Sequence, residues 1–177
     1  MRTFDDLGEN GLAANYWIFK VKDEVGGLFG RRAFAIFDHR ANERFWALRE
    51  YNEKGKLEAH IKELSKSDQV IFFLVEKGKS RFVGKCVLDS GFLTLDEEKE
   101  IQIVHSDFID WNQGVFLKEV DKWDKPLPAE CLRDNPSFVH SGGNLGAFFQ
   151  GSIKKIKRKE DFGAIIREHK LFVRRSI

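Results

Sequence analysis

Trp46 is the residue whose type and position most directly suggest chemistry. It lies within Arg44–Arg49, where a polar stretch gives way to a short apolar segment. A large aromatic ring at such a place either packs in the core or forms one wall of a pocket for a flat ligand. The chain has 17 Phe and 4 Trp but a single Met. Most of these rings must be core, and we expect some of them to line a site.

Positive charge is concentrated near the end of the sequence. Residues 151–177 hold nine Lys or Arg against three acids, whereas residues 89–110 hold seven acids and one Lys, although the net charge is only +2. Such a basic segment either holds phosphate or forms the solvated face of a helix. A glycine-rich loop, residues 26–32, adds Arg31 and Arg32, and glycines let a backbone approach a ligand closely. The candidates in the basic segment are Lys154, Lys155, Lys157 and Arg158.

Residues for catalysis or metal binding are not grouped in the sequence. The five His are dispersed, and Cys86 and Cys131 do not form a C-x-x-C pair, so a zinc site is not expected. Ser141–Gly146 is rich in glycine but lacks the Gly-Lys-Ser/Thr ending of a phosphate loop. No segment has the pattern of a nucleophile elbow. We therefore predict a binding domain without enzymatic activity, metal or cofactor.

The length and hydropathy of the chain set its organisation. A chain of 177 residues fits one domain, which we place at residues 14–177, after a flexible leader at residues 1–13. The sequence has no apolar run of about 18 residues and no signal-peptide pattern. We expect a cytoplasmic protein with no membrane partner, in which the two cysteines are reduced.

Apolar runs and turn residues predict many strands and few helices. Val70–Val75 is a continuous apolar run and predicts a central strand, followed by a hairpin partner at Arg81–Leu88. The sequence predicts an α+β domain around a curved mixed sheet or open barrel, with a few short packing helices. Further strands are predicted at residues 15–21, 33–38, 44–49, 101–104, 115–120 and 152–157, and helices at residues 55–65 and 159–169. Lys125–Pro128 is expected to close the unit that contains the strand at 115–120.

Three segments of the first half, taken in order, resemble the YTH domain, the reader of N6-methyladenine. They are Trp17–Val21, then Phe45–Ala47 with Asn52–Leu57, and then Val70–Val75 with Phe82–Cys86. YTH domains belong with EVE domains to the PUA-like group. The whole chain also resembles the amino-terminal specificity domain of archaeal McrB-type restriction GTPases, which act on DNA with modified bases.

The resemblance implies that a methylated base leaves its stack and enters a cage of aromatic rings. Trp46 is similar to the first cage residue, and the second would be Trp111, with Phe92 and Phe108 as further candidates. The carbonyl group near Ala47 would accept a hydrogen bond from the base.

The remaining contacts that the resemblance implies are polar. Lys22 or Asp23, after the first strand, would contact the base edge. Arg31 and Arg32 would reach the duplex, and the four basic residues at 154–158 would contact phosphates. The partners would be methylated DNA and, in a longer protein, a GTPase motor domain and a nuclease subunit. The alternatives are an EVE-type reader of modified cytosine, a PUA-like RNA-binding module and a protein-interaction domain.

Overall fold

The computed structural model describes residues 13–24, 30–51, 54–58, 60–103, 112–135 and 151–176. The predicted leader at residues 1–13 therefore lies outside the described residues, apart from Ala13. Within these ranges the strands are β1 (Tyr16–Lys22), β2 (Phe45–Ala47), β3 (Gln69–Glu76), β4 (Lys79–Leu88), β5 (Leu93–Thr94), β6 (Gln113–Pro128) and β7 (Ile153–Ile156). The α-helices are α1 (Ala33–Glu43), α2 (Glu97–Ile103) and α3 (Lys159–Arg175).

The strands form one curled, mixed sheet. Its order is β2-β6-β4-β3-β1-β7, and β5 pairs with β6 on the edge opposite β2. The central pair β1 and β3 is parallel, and the other recorded pairs are antiparallel. Register shifts in the pairing of β4 with β6 mark bulges, which bend and twist strands. The predicted α+β class with a curved mixed sheet is confirmed.

Two apolar layers cover the two faces of this sheet. We call the layer beneath α1 the α1-side cluster, and that beneath α3 the α3-side cluster. Strand β3 contributes to both, because Phe72 faces the first and Phe73 the second. The α1-side cluster includes Trp17, Phe19, Phe37, Trp46, Phe72 and Leu74, and the α3-side cluster includes Ile18, Phe73, Phe82, Trp123, Phe162 and Ile165. The prediction of a central strand buried on both faces is therefore confirmed.

Asp68 ties the beginning of β1 to the beginning of β3. Its carboxylate is 2% exposed and accepts hydrogen bonds from the backbone N–H of Asn15 (2.9 Å) and of Ser65 (3.0 Å). It also accepts from the indole Nε1–H of Trp17 at 2.8 Å. A buried carboxylate is tolerated when donors surround it in this way, so Trp17 and Asp68 form a structural unit.

The strand predicted at residues 33–38 is wrong, because this segment begins α1. Its buried residues, Ala33, Ile36, Phe37 and Ala41, recur at the spacing of one helix face. Asp23 supports the helix start, since its carboxylate accepts a hydrogen bond from the N–H of Ala33 at 2.9 Å. An apolar run of six residues is too short to distinguish the two-residue period of a strand from the 3.6-residue period of a helix.

The helix predicted at residues 55–65 is also wrong. The structure has only a 3-10 turn there, at Ile61–Glu63. Gly55 and His60 both have positive φ values, 69° and 66°, which a continuous right-handed helix does not contain. Leu57, expected on the apolar face, is 53% exposed and forms an isolated bridge with Tyr51.

Two further element predictions differ from the structure. The strand expected at 101–104 is helical through Ile103, in α2, and residue 104 lies outside the described ranges. Asp96 caps α2, accepting from the N–H of Lys99 at 2.9 Å, and acidic residues fill the first turn, where the helix dipole favours them. The strand predicted at 115–120 is longer in the structure: β6 runs from Gln113 to Pro128, so Lys125–Pro128 belongs to the strand instead of closing the unit after it. At its end β6 pairs with β4, and proline is tolerated on such an edge.

Candidate nucleic-acid interface

Trp46 lies within the α1-side cluster and is 1% exposed. Its ring stacks on that of Phe72, with 4.8 Å between centroids and an interplanar angle of 26°. Phe19 is tilted against it at 5.7 Å, and the guanidinium carbon of Arg40, from α1, stands 5.3 Å from the ring centroid. In this state the ring is packed, so a base could stack on it only after a neighbour moves.

The backbone of Trp46 is held at close range by β6. A Cβ atom on Gly114 would stand 2.1 Å from the carbonyl oxygen of Trp46 and 2.9 Å from the ring of Phe45. Only glycine fits between β2 and β6 at this point. The pairing of Trp46 with Val115 in the next register position therefore fixes where the indole ring projects.

The other predicted cage residues are placed separately. Phe92 is half-buried against the α1-side cluster, and the ammonium of Lys62 stands 5.3 Å from its ring centroid. Ala47 is buried with Phe45 in a small cluster distinct from the one that holds Trp46. Trp111 and Phe108 lie outside the described residues.

Asp23 connects three elements at the end of β1. Its carboxylate accepts from the backbone N–H of Lys77 (2.7 Å) and of Ala33 (2.9 Å), and pairs with Arg32 at 3.3 Å. The hydrogen bonds from Lys77 and Ala33, with Arg32 contributing less, hold the pKa of Asp23 below its ordinary value. The carboxylate is thus already occupied in joining β1, α1 and the β3–β4 turn.

The remaining predicted basic residues near this point are exposed or paired. Arg31 forms an ion pair with Glu24 at 2.6 Å, and Lys22 is exposed at the end of β1. The structure therefore brings Lys22, Asp23, Arg31 and Arg32 together at one end of β1.

The basic residues of β7 do not share one face. Lys155 pairs with Trp17 in register, on the α1 side, whereas Lys154 pairs with Ile18, on the α3 side. The ammonium of Lys155 stands 5.6 Å from the Trp17 ring centroid and bonds to Glu63. Lys157 and Arg158 follow the strand and are exposed. They lie near the beginning of β1, roughly 20 Å from Lys22 along seven strand residues.

A surface that the sequence analysis missed lies between these regions. We call residues 49–51 and 54–58 the Tyr51 loop; it follows β2 directly. Tyr51 and Leu57 are each 53% exposed and bridge to one another. The loop lies beside β7, because Glu58 accepts a hydrogen bond from Ser152 at 3.3 Å. It also carries Arg49, Lys54 and Lys56. The sequence does contain a signal for this surface, because Tyr51 is one of only two tyrosines and lies among charged residues.

Two negative findings bear on the chemistry of the described residues. They contain no group of His, Cys, Asp and Glu that could hold a metal ion. No helix in the same ranges is long and apolar enough to cross a membrane.

Of the two cysteines, both free, Cys86 is buried, and burial raises the pKa of its thiol far above the ordinary value.

No protein-family model matches the sequence, and no curated protein matches it significantly. Solved structures do resemble it. A hypothetical protein from Leishmania major has a TM-score of 0.58 at 16% identity, over 89% of this chain and 96% of that one. Human THYN1, in complex with DNA containing 5-methylcytosine, has a TM-score of 0.55 at 15% identity, over 88% and 98%.

The N-terminal domain of McrB from Staphylothermus marinus has a TM-score of 0.45 at 15% identity, over 94% of this chain and 98% of that one. This likeness is too distant to carry a functional argument. At identities below a fifth, the comparisons establish architecture: this chain has the PUA-like α+β fold that is also found in human THYN1.

Proposed function

We propose that this chain is a DNA-binding module that recognises a methylated base held among aromatic side chains. N6-methyladenine is the first candidate, from the resemblance to YTH domains. Modified cytosine is the second, because human THYN1 shares the fold and was solved with DNA containing 5-methylcytosine. Trp46 is the proposed stacking residue, and Phe92, Trp111 and Phe108 remain candidates for a second wall.

The setting of Trp46 is the observation that carries the proposal. Its ring stacks on Phe72 and is also approached by the guanidinium of the half-buried Arg40. A long arginine side chain can carry its charged head out to water, whereas displacing a core phenylalanine leaves a cavity. A flipped base would therefore replace the guanidinium of Arg40 and stack on the same indole ring.

The free-energy terms indicate how strong the preference for methylation can be. Extruding a base costs a few kcal/mol, and stacking on an aromatic ring contributes about 1–3 kcal/mol. Burying the methyl group adds about 0.8 kcal/mol, which is only about fourfold in affinity. A stronger preference requires that the unmethylated amine leave an N–H unpaired against apolar walls, at about 1–3 kcal/mol.

Sequence-independent affinity would come from the exposed cations. Lys157 and Arg158, after β7, would contact phosphates, and the cations of the Tyr51 loop would extend this surface toward β2. The exposed ring of Tyr51 can stack on a base or fill the space that a flipped base leaves. Lys22, Arg31 and Arg32 would form a second contact at the other end of β1.

The resemblance to McrB-type specificity domains also suggests an assembly. In a restriction complex, a GTPase motor domain and a nuclease subunit would act on the DNA that this module has selected. The module itself would bind and would cut nothing.

A titration of one duplex in three forms tests the proposal. Unmodified DNA, DNA with N6-methyladenine and DNA with 5-methylcytosine are compared at one salt concentration by fluorescence anisotropy. Tighter binding of one modified form supports base reading and identifies the base. Equal binding of all three refutes base reading and leaves a basic surface. Preference for a structured RNA of the same length, or failure to bind any nucleic acid, would favour the RNA-binding or protein-interaction alternatives.

A matched pair of variants separates the two kinds of contact. Lys157→Glu is expected to weaken binding of all three duplexes by a similar factor, because phosphate contacts do not read the base. Tyr51→Ala removes an exposed ring, so it leaves the core intact and is expected to weaken binding without unfolding the domain.

A further inference from the structure

The Tyr51 loop presents two large hydrophobic side chains next to one another. Tyr51 and Leu57 are each 53% exposed, and an antiparallel bridge joins them. Residues that are directly opposite in such a bridge project from the same face, with their Cβ atoms about 5 Å apart. Exposed apolar side chains that are scattered singly are common and need no explanation. Two that are joined in this way form one contiguous ridge.

The Tyr51 loop is held in place at both of its ends. Leu48 before it and Ile61 after it are 5% and 0% exposed, and both belong to the α1-side cluster. Within the loop, the N–H of Glu58 donates to the carbonyl oxygen of Glu50 at 2.8 Å, which extends the bridge by one residue on each side. The hydrophobic pair is therefore presented in a preformed arrangement, and a ligand that binds it does not have to order the loop first.

The described charges of the loop leave the hydrophobic pair open to a polyanion. Lys54 and Lys56 are exposed at the turn between the two bridged residues. The two described acids of the loop have partners, since Glu50 pairs with Lys62 at 2.6 Å and Glu58 accepts a hydrogen bond from the residue before β7. Phosphates can therefore flank the pair on the side of the turn.

The Tyr51 loop and Trp46 are on the same side of the sheet. Leu48 and Ile61, which flank the loop, belong to the same cluster as Trp46. Tyr51 follows Trp46 by five residues, so their Cα atoms are at most about 17 Å apart. This limit is on the order of the width of the major groove, about 12 Å. A base that leaves a duplex to reach Trp46 therefore leaves a gap that the hydrophobic pair can reach.

We propose that Tyr51 and Leu57 form a wedge that enters the duplex where the methylated base leaves it, fills the gap and kinks the DNA. This inference rests on the proposed function, because it requires that a base be extruded. It assigns double-stranded DNA as the partner, since a single strand has no gap to fill. Side chains inserted between base steps unstack them and kink a duplex by about 20–90°.

Fluorescence anisotropy with one methylated oligonucleotide, as a duplex and as a single strand, tests the wedge. The oligonucleotide carries N6-methyladenine or, in a parallel series, 5-methylcytosine. The double variant Tyr51→Ser/Leu57→Ser changes two exposed side chains, so it should fold like the wild type in circular dichroism. It is expected to bind the duplex at least about fivefold more weakly, the smallest loss that the stacking of one ring predicts. Binding of the single strand should stay within about twofold of the wild type, because no gap has to be filled.

Leu171→Ser is the matched control for the double variant. Leu171 is 41% exposed and lies on α3, on the other side of the sheet. Its replacement removes a similar exposed side chain and should leave both affinities unchanged. An equal loss of affinity for duplex and single strand in the double variant overturns the wedge, because the pair would then be a simple stacking surface.

The shape of the bound duplex gives a second measurement. Dyes at the two ends report the kink by energy transfer, and 2-aminopurine beside the methylated base brightens when it is unstacked. Both signals should rise with wild-type protein and fall in the double variant at saturation. A duplex that stays straight when the wild type binds it, or no binding to a duplex, overturns the wedge. Equal binding and kinking of modified and unmodified duplexes would refute recognition of the methyl group but support the wedge, so the two failures are distinguishable.

Discussion

Trp46→Ala provides the sharpest test of whether this buried indole ring also reads a base. The side chain is 1% exposed and contacts Phe72, Phe19 and Arg40. Replacing a fully buried tryptophan by alanine costs about 3–5 kcal/mol of folding free energy, against a total of about 5–15 kcal/mol for a typical domain. We therefore expect a variant that is destabilised but folded at low temperature.

If Trp46 stacks on the methylated base, the same change also removes a stacking contribution of about 1–3 kcal/mol from binding. Affinity for the preferred duplex should fall by roughly fivefold to a hundredfold, toward the affinity for unmodified DNA. Urea denaturation gives the first quantity, and fluorescence anisotropy at 10 °C, on samples verified as folded by circular dichroism, gives the second.

Phe37→Ala is the matched control for Trp46→Ala. Phe37 is 1% exposed in the same cluster, with its ring 5.1 Å from that of Phe72, and its loss should cost a similar 3–5 kcal/mol. Phe37 has no assigned contact with the base, so the Phe37→Ala variant should keep its preference for modified DNA. An unchanged preference in Trp46→Ala, or an equal loss in both variants, would refute the stacking role and leave Trp46 as core.

Three further predictions concern stability and reactivity. Gly114→Ala should destabilise the domain by about 1–3 kcal/mol in urea denaturation, because its Cβ would meet the carbonyl oxygen of Trp46; wild-type stability would contradict the close approach. In the native protein, DTNB should modify the half-exposed Cys131 well before the buried Cys86, and equal rates would contradict their placement. Burial lowers the pKa of His169, so the unfolded chain binds a proton more readily than the folded protein. The free energy of unfolding should therefore fall as the pH drops below about 6.5, and His169→Gln should make it less dependent on pH in that range.

The sequence was most informative where burial alone determines the strand. Val70–Val75 could be assigned to the centre of the sheet because an apolar run of that length needs cover on both faces, and β3 has it. The segment at 33–38 was misassigned because the side chain that starts its helix, Asp23, is ten residues earlier and acts through a tertiary hydrogen bond. Local periodicity cannot contain that information.

In the candidate site, too, residue types could be predicted from the sequence but tertiary contacts could not. Trp46 could be singled out from the sequence, but not its stacking on Phe72, which depends on strands distant along the chain being brought together. The basic segment at 154–158 was identified from composition, whereas the strand pleat divides Lys154 from Lys155.

Salt dependence connects the two kinds of DNA contact to different residues. Exposed cations such as Lys157 and Arg158 release counterions when they bind phosphate, so affinity should fall linearly with salt on a logarithmic scale. The stacking of a neutral methylated base on Trp46, beneath α1, involves no counterion. Plots of log affinity against log salt concentration should therefore have the same slope for modified and unmodified duplexes. The ratio of the two affinities should stay constant between about 50 and 200 mM salt. Lys157→Glu should reduce both slopes by about 1 and leave the ratio unchanged. A ratio that falls with salt would instead place the discrimination in the charged surface, and the buried ring would then have no part in reading the base.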